Sequence, residues 1–280
     1  MKDVPLIIEG SWLADHIQDS GVQVLEIAKT PESYDKAHIS GAALIPHHHY
    51  LKTADEDGER TAHIITTAEF QSLISAIGYQ QHLHYVVYDE QHGLWASRFW
   101  AVCRHYGIEN ISILNGSWHG WLAAGFPVNS QTETPLAGTD FVAAPRQDML
   151  INCEQLQAEC DKPTMQIWDT RRPEEFDGSE ETANLRRGHV PGALHLPWAE
   201  MLTGEDQPGA ARFLKSPEEM KQLLDAIGLQ KNKPVVTYCQ AGIRAAFGQM
   251  VLVRLGYSEA KMYDASMGEW SNLPDTPLTK

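Results

Sequence analysis

Val235-Val236-Thr237-Tyr238-Cys239-Gln240-Ala241-Gly242-Ile243-Arg244-Ala245-Ala246-Phe247 is a β-branched run that stops at a cysteine, crosses a glycine-containing loop and enters an apolar helical pattern. A strand that feeds a helix at once is the building unit of a parallel α/β sheet. The pattern also stands 150 residues earlier, where Val86-Val87-Tyr88-Asp89 is followed by Glu90-Gln91-His92-Gly93-Leu94-Trp95-Ala96-Ser97-Arg98-Phe99. Working outward, Ala37-His38-Ile39-Ser40-Gly41-Ala42 matches Gly188-His189-Val190-Pro191-Gly192-Ala193. Ala76-Ile77-Gly78 matches Ala226-Ile227-Gly228. Pro46 pairs with Pro197, Gly107 with Gly256, Ser117 with Ser266, Trp121 with Trp270 and Pro127 with Pro277. One register held over so many landmarks means a duplicated domain, and each copy is far longer than a solenoid repeat.

The 280 residues suit two domains, each large enough to bury a core without disulfide or metal staples. The expected boundaries are 1–130 and 148–280, joined by a linker over 131–147. The stretch from Asn129 to Asp148 around it contains Ser, Thr, Gly and two Pro and lacks apolar periodicity. Strands are expected over Val22–Ile27, Tyr85–Tyr88 and Ile111–Leu114 in the first copy. Met165–Trp168, Pro234–Tyr238 and Lys261–Tyr263 are their counterparts in the second. Ser216-Pro217-Glu218-Glu219 reads as a helix start with Ser as N-cap, and Thr67-Ala68-Glu69-Phe70 opens the matching helix. The expected fold is α/β, with a parallel sheet between helices in each domain.

The formal charge is −15, from 37 acidic and 22 basic residues. Such a surface repels phosphate backbones and anionic lipid, so nucleic acid and membrane are excluded as partners. No apolar run approaches a membrane span, and the first residues are charged too soon for a signal peptide. Cys103, Cys153, Cys160 and Cys239 form no Cys-x-x-Cys pair and no zinc spacing, so no metal is expected. They read as reduced thiols of a cytoplasmic protein.

The copies differ where chemistry would sit. Asp89 stands where the second copy has Cys239, and the loop after Asp89 reads as two residues longer. A cysteine at the carboxyl end of a parallel strand lies in the crevice where open α/β sheets bind ligands. The loop from Gln240, Ala241, Gly242 and Ile243 to Arg244 and Ala245 can turn its amides on one volume, forming an anion cradle that favours a thiolate. Arg244 adds a permanent positive charge. Cys239 is therefore the candidate nucleophile, with 240–245 as the substrate-binding loop. Asp89 offers no such nucleophile.

These features resemble the tandem rhodanese family of thiosulfate and 3-mercaptopyruvate sulfurtransferases over nearly the whole chain. Residues 188–193 are similar to the family's first signature, Gly268-Glu269-Trp270 with Pro274-Asp275-Thr276-Pro277 to its last, and 239–244 to its six-residue active loop. The resemblance implies two rhodanese-like domains, each a five-stranded parallel sheet flanked by helices, with an inactive first domain and a catalytic second one. It implies no cofactor. A small anionic donor would leave sulfur on Cys239 as a persulfide, and cyanide, a small thiol or a protein thiol would accept it. Two departures stand out. Ala241 occupies the position where thiosulfate-preferring animal enzymes carry Lys and mercaptopyruvate-preferring ones Ser or Thr. Glu175 precedes Phe176 where many members carry Arg. Arg172 and Arg187 are the candidate substrate-side cations, with Arg171 and Arg186 beside them. The charge of Arg244 puts thiosulfate ahead of 3-mercaptopyruvate as the expected donor.

Asp169, aligned with Glu26, reads as a structural carboxylate, and His38 and His189 as turn braces. Trp118, Trp121 and Trp270 read as packing residues, and His47-His48-His49 as a surface loop. A cysteine phosphatase or arsenate reductase is the main rival, but its loop places five residues between Cys and Arg, and only Gln240 to Ile243 intervene here. A non-catalytic sulfur-binding module is the second, opposed by the presence of Cys239 and Arg244.

Overall fold

A computed structural model describes residues 4–28, 30–45, 51–54, 57, 60–133 and 138–280. The His47–His49 run lies outside the described residues. The chain divides into two compact units. The first is Met1–Arg60, Ile65–Arg146 and Thr203–Leu214, and the second is Thr61–Ile64, Gln147–Leu202 and Lys215–Lys280. Each unit thus takes a short segment from the other half of the sequence.

In the first unit the main elements are β1 (Ile7–Ile8), α1 (Gly10–His16), β2 (Val22–Ile27), α2 (Pro31–Lys36), β3 (Ala42–Ile45), α3 (Thr67–Ala76), β4 (His84–Asp89), α4 (Leu94–His105), β5 (Ile111–Leu114) and α5 (Ser117–Ala123). The second unit repeats them as β6 (Leu150–Ile151), α6 (Cys153–Asp161), β7 (Gln166–Asp169), α7 (Pro173–Phe176), β8 (Leu194–His195), α8 (Pro217–Ala226), β9 (Val235–Tyr238), α9 (Ile243–Arg254), β10 (Ala260–Tyr263) and α10 (Ser266–Trp270). Among the described residues the first sheet runs β1-β5-β4-β2-β3 and the second β6-β10-β9-β7-β8. The order is the same in both, and all pairings within these sheets are parallel. Two tandem α/β domains with five-stranded parallel sheets are therefore present, as the family resemblance implied.

The central strands β4 and β9 are buried along nearly their whole length, which explains their unbroken apolar runs. Both helices preceding them start on capping boxes, Thr66 with Glu69 and Ser216 with Glu219. Trp121 and Trp270 are fully buried in the cores of their own units. Each donates its indole N–H to a proline carbonyl, that of Pro127 at 2.9 Å and that of Pro277 at 2.8 Å. The matched Trp and Pro landmarks are thus one interaction made twice. Trp118 packs against the first core.

The stretch read as a linker is not free chain. Arg146 N donates to His105 O at 2.7 Å, and the Gln71 amide bonds both Phe141 O (2.8 Å) and Ala143 N (2.9 Å). Residues 138–146 carry no helix or strand and lie along the first unit through these bonds.

Candidate active site

Cys239 follows the last residue of β9 and is 1% exposed. Gly242 caps α9 with φ +79°, a left-handed conformation that glycine takes without penalty. That turn aims the Gly242 amide at Cys239 Sγ, 3.1 Å away. Thr237 Oγ1 donates to Ala245 O at 2.9 Å and ties the first turn of α9 to the strand.

The loop is held from below by the start of α10. Ser266 accepts a hydrogen bond from Cys239 N at 3.1 Å, and Met267 N and Gly268 N donate to Cys239 O (3.1 Å) and Gln240 O (2.7 Å). Ser266 adopts φ +56°, a strained conformation for a residue with a Cβ. A Cβ on Gly268 would lie 3.1 Å from Gln240 O, so the glycine of the terminal motif permits this close approach. Gln240 is fixed from the side by a reciprocal amide pair with Asn184, at 3.0 and 2.8 Å. The segment Thr61–Ile64 belongs to this unit. It places Ala62 within 3.5 Å of the Gly268 Cβ position and His63 within 3.8 Å of Glu269, which accepts from the Tyr263 hydroxyl at 2.6 Å.

The first unit contains the same cradle with a different occupant. Asp89 is fully buried, and its Oδ1 accepts from Gln91 N (2.6 Å) and Gly93 N (3.0 Å) while Oδ2 accepts from Ala96 N (2.8 Å). Gly93 caps α4 as Gly242 caps α9, with φ +88°. Ser117, φ +51°, accepts from Asp89 N at 2.8 Å as Ser266 does from Cys239 N. Burial pushes the Asp89 carboxyl up, and the loop amides counter it only in part. The loop here is one residue longer than its counterpart, with four steps from Asp89 to its capping glycine against three from Cys239. That corrects the two-residue difference read from the sequence.

Arg244 is not a free cation. Its Nη1 and Nη2 fork onto Glu175 Oε2 and Oε1 at 2.5 and 2.8 Å. Glu175 is 5% exposed. Burial alone would raise its carboxyl, but the Arg244 hydrogen bonds and charge, with the Arg172 amide, bring it down to about 2. Burial works against the Arg244 charge too, and the Glu175 hydrogen bonds and the charges of Cys239 and Glu175 override it, raising the guanidinium above its usual value. The other arginines are engaged as well. Arg171 forks onto Asp169, with its closest contact at 2.6 Å, and reaches Gly188 O. Arg172 bonds Glu175 and both oxygens of Glu180. Arg186 clamps the carbonyls of Trp270, Leu273 and Thr276. Arg187 lies 3.6 Å from Glu181. Asp169 is thus the structural carboxylate expected. His38 Nδ1 lies 2.8 Å from Tyr34 O, and His189 Nδ1 lies 2.9 Å from Phe176 O, so both brace their turns. No His, Cys, Asp and Glu cluster among the described residues could hold a metal.

The duplicated sheet order, the strand-end cysteine and the capped amide loop decide the family together. The family model for the rhodanese-like domain matches residues 9–124 and again 152–273. The chain belongs to the rhodanese-like family. It is 29% identical over 277 residues to a thiosulfate sulfurtransferase of Pseudomonas aeruginosa, covering 99% of this chain and 98% of that one. It is 27% identical to the 3-mercaptopyruvate sulfurtransferase of Escherichia coli strain K12, covering 97% and 96%. The crystal structure of SseA from Escherichia coli, described for the rhodanese fold and catalytic mechanism of 3-mercaptopyruvate sulfotransferases, superposes with a TM-score of 0.80 at 27% identity. It covers 94% of this chain and 99% of SseA. Sequence reasoning missed Ser266, Asn184 and the pairing of Glu175 with Arg244. The Ser117–Ser266 match was the one available signal for the first of these.

Proposed function

We propose that the protein is a sulfurtransferase that carries sulfane sulfur as a persulfide on Cys239, taking it from thiosulfate or 3-mercaptopyruvate and passing it to cyanide or a thiol. The observation that carries this reading is the doubled cradle. The Gly93 amide that binds a carboxylate in the first unit has its counterpart in the Gly242 amide on Cys239 Sγ in the second, which supports a cradle suited to a sulfur anion. Catalysis is then assigned to 148–280, and 1–130, with Asp89 at the equivalent position, holds no sulfur.

In the first half-reaction the Cys239 thiolate attacks the outer sulfur of the donor. The donor's bond to that sulfur breaks, and sulfite or the pyruvate enolate leaves with the electron pair. The terminal sulfur of the persulfide lies among the amides of 240–245, with Gly242 N nearest the inner sulfur. An acceptor nucleophile then attacks the terminal sulfur and Cys239 leaves as thiolate. The relatives named above support both donors. The Glu175 fork on Arg244 weighs against the phosphatase alternative, which needs that guanidinium for a tetrahedral oxyanion. Arg172 and Arg187 are the exposed arginines proposed to meet the donor, each carrying an acidic partner. A cytoplasmic setting fits the four unpaired thiols. No described helix is long and apolar enough to cross a membrane.

The test is Cys239→Ser. Cyanide-dependent turnover with either donor is expected to vanish with the circular dichroism unchanged, and Cys103, Cys153 and Cys160 replaced singly should leave it nearly unaltered. Mass spectrometry of the wild type after donor exposure should find one added sulfur on Cys239. Turnover retained by a folded Cys239→Ser chain would end the reading.

A further inference from the structure

We propose that Glu175 is a specificity-determining residue of this site: by holding Arg244 in a two-pronged ion pair it cancels the positive charge beside Cys239 and disfavours dianionic sulfur donors relative to monoanionic ones. The proposal rests on the sulfurtransferase reading of Cys239. Four guanidinium groups of this region, Arg171, Arg172, Arg187 and Arg244, face four carboxylates, Asp169, Glu180, Glu181 and Glu175. Each of these four guanidinium groups therefore has a carboxylate partner, while Arg186 bonds carbonyls. Arg244 stands in the first turn of α9, the helix whose capping glycine gives its amide to Cys239 Sγ, five residues after the cysteine. Glu175 is positioned by two bonds besides the fork, from Arg172 N and Nε to its Oε2 at 3.2 Å, and it stands at the third position of α7. It is buried, so salt screens the pair weakly.

Coulomb energy scales with the donor's charge. Whatever field the Arg244–Glu175 pair presents, a dianion such as thiosulfate feels it twice as strongly as a monoanion such as 3-mercaptopyruvate at pH 7. Removing the Glu175 charge must therefore change the two efficiencies by unequal factors, one the square of the other. That squared relation distinguishes an electrostatic role from a structural one, which would move both donors together.

The experiment measures kcat/KM for thiosulfate and for 3-mercaptopyruvate, at one ionic strength and one cyanide concentration, in four full-length chains. Glu175→Gln should raise thiosulfate efficiency about tenfold and mercaptopyruvate about threefold, and only this variant should lose thiosulfate efficiency as salt rises. Arg244→Gln should lower them by similar factors, because Glu175 is left uncompensated. Glu175→Gln with Arg244→Gln restores neutrality and should return the thiosulfate-to-mercaptopyruvate ratio to within about threefold of the wild type. If Glu175→Gln does not fold, the ratio in Arg244→Gln against the double variant carries the same sign and still decides. Equal changes for both donors, or a thiosulfate ratio that falls in Glu175→Gln, overturn the proposal. Wild-type protein that loads sulfur on Cys239 from neither donor overturns the sulfurtransferase reading and this proposal with it.

Discussion

Glu26 is the buried carboxylate of the first sheet, at the strand position that Asp169 holds in the second. It is 2% exposed and accepts from the Tyr88 hydroxyl, which itself accepts from Ile39 N at 3.0 Å. In the second unit Arg171, two residues after Asp169, neutralises the carboxylate. In the first that place is Ala28. Burial accordingly raises Glu26 to about 7, with Glu90 and Asp89 adding to the rise and the Tyr88 bond opposing it. A carboxyl with a raised folded-state pKa is bound to its proton in the native chain and gives it up on unfolding. Its contribution to stability is fully present below pH 4.5 and is lost as pH rises through 7. Integrating that proton difference from pH 5 to pH 8 gives a loss of about 2.5 kcal/mol. Glu26→Gln keeps an acceptor for Tyr88 and removes the titration. Urea unfolding of both chains at pH 5, 6, 7 and 8 should show the variant gaining on the wild type by about that amount across the range. A difference between the two chains that stays constant with pH, or that moves against the variant as pH rises, would refute the assignment of Glu26 as a protonated core carboxyl.

Two further stability predictions follow from the second unit. Arg171→Met leaves Asp169 charged and uncompensated in a 0% exposed position, so urea denaturation should register a loss of roughly 3–5 kcal/mol. A loss below 1 kcal/mol would show that the pair is not the anchor of that loop. Ser216→Ala removes the side-chain half of the α8 capping box, and the same measurement should show a cost of about 1 kcal/mol with sulfur transfer unaffected.

The elements legible in the sequence were those set by local rules. β2 and β5 fall over Val22–Ile27 and Ile111–Leu114 as their β-branched runs predict, and α8 begins on the capping box at Ser216. Even the loop difference was readable, because the matching landmarks shift from an offset of 150 at Asp89–Cys239 to 149 at Gly107–Gly256 and Ser117–Ser266. What was not legible depends on partners far apart in the chain. Arg244 looked like a free charge because its partner Glu175 lies 69 residues away, and Asn184 finds Gln240 across 56. No periodicity or cap records such pairs. They arise only when β7 and β9 lie side by side and the loops at their carboxyl ends are brought to the same edge of the sheet.

That edge explains why two copies of one topology diverge in chemistry. Each capping glycine turns amides onto the residue that ends the central strand, so the backbone offers an anion site in both. In the first unit the chain supplies its own anion, and Asp89 fills the site with its two oxygens on the amides of Gln91, Gly93 and Ala96. The buried carboxylate occupies the place a ligand anion would take. In the second unit the shorter loop faces a single sulfur atom with one amide at 3.1 Å, leaving the remaining loop amides for a second atom bonded to it. Sulfur is the atom able to occupy that place as nucleophile and leaving group in turn. The charge that governs which donors reach it is then set outside the loop, by the fork between Glu175 and Arg244.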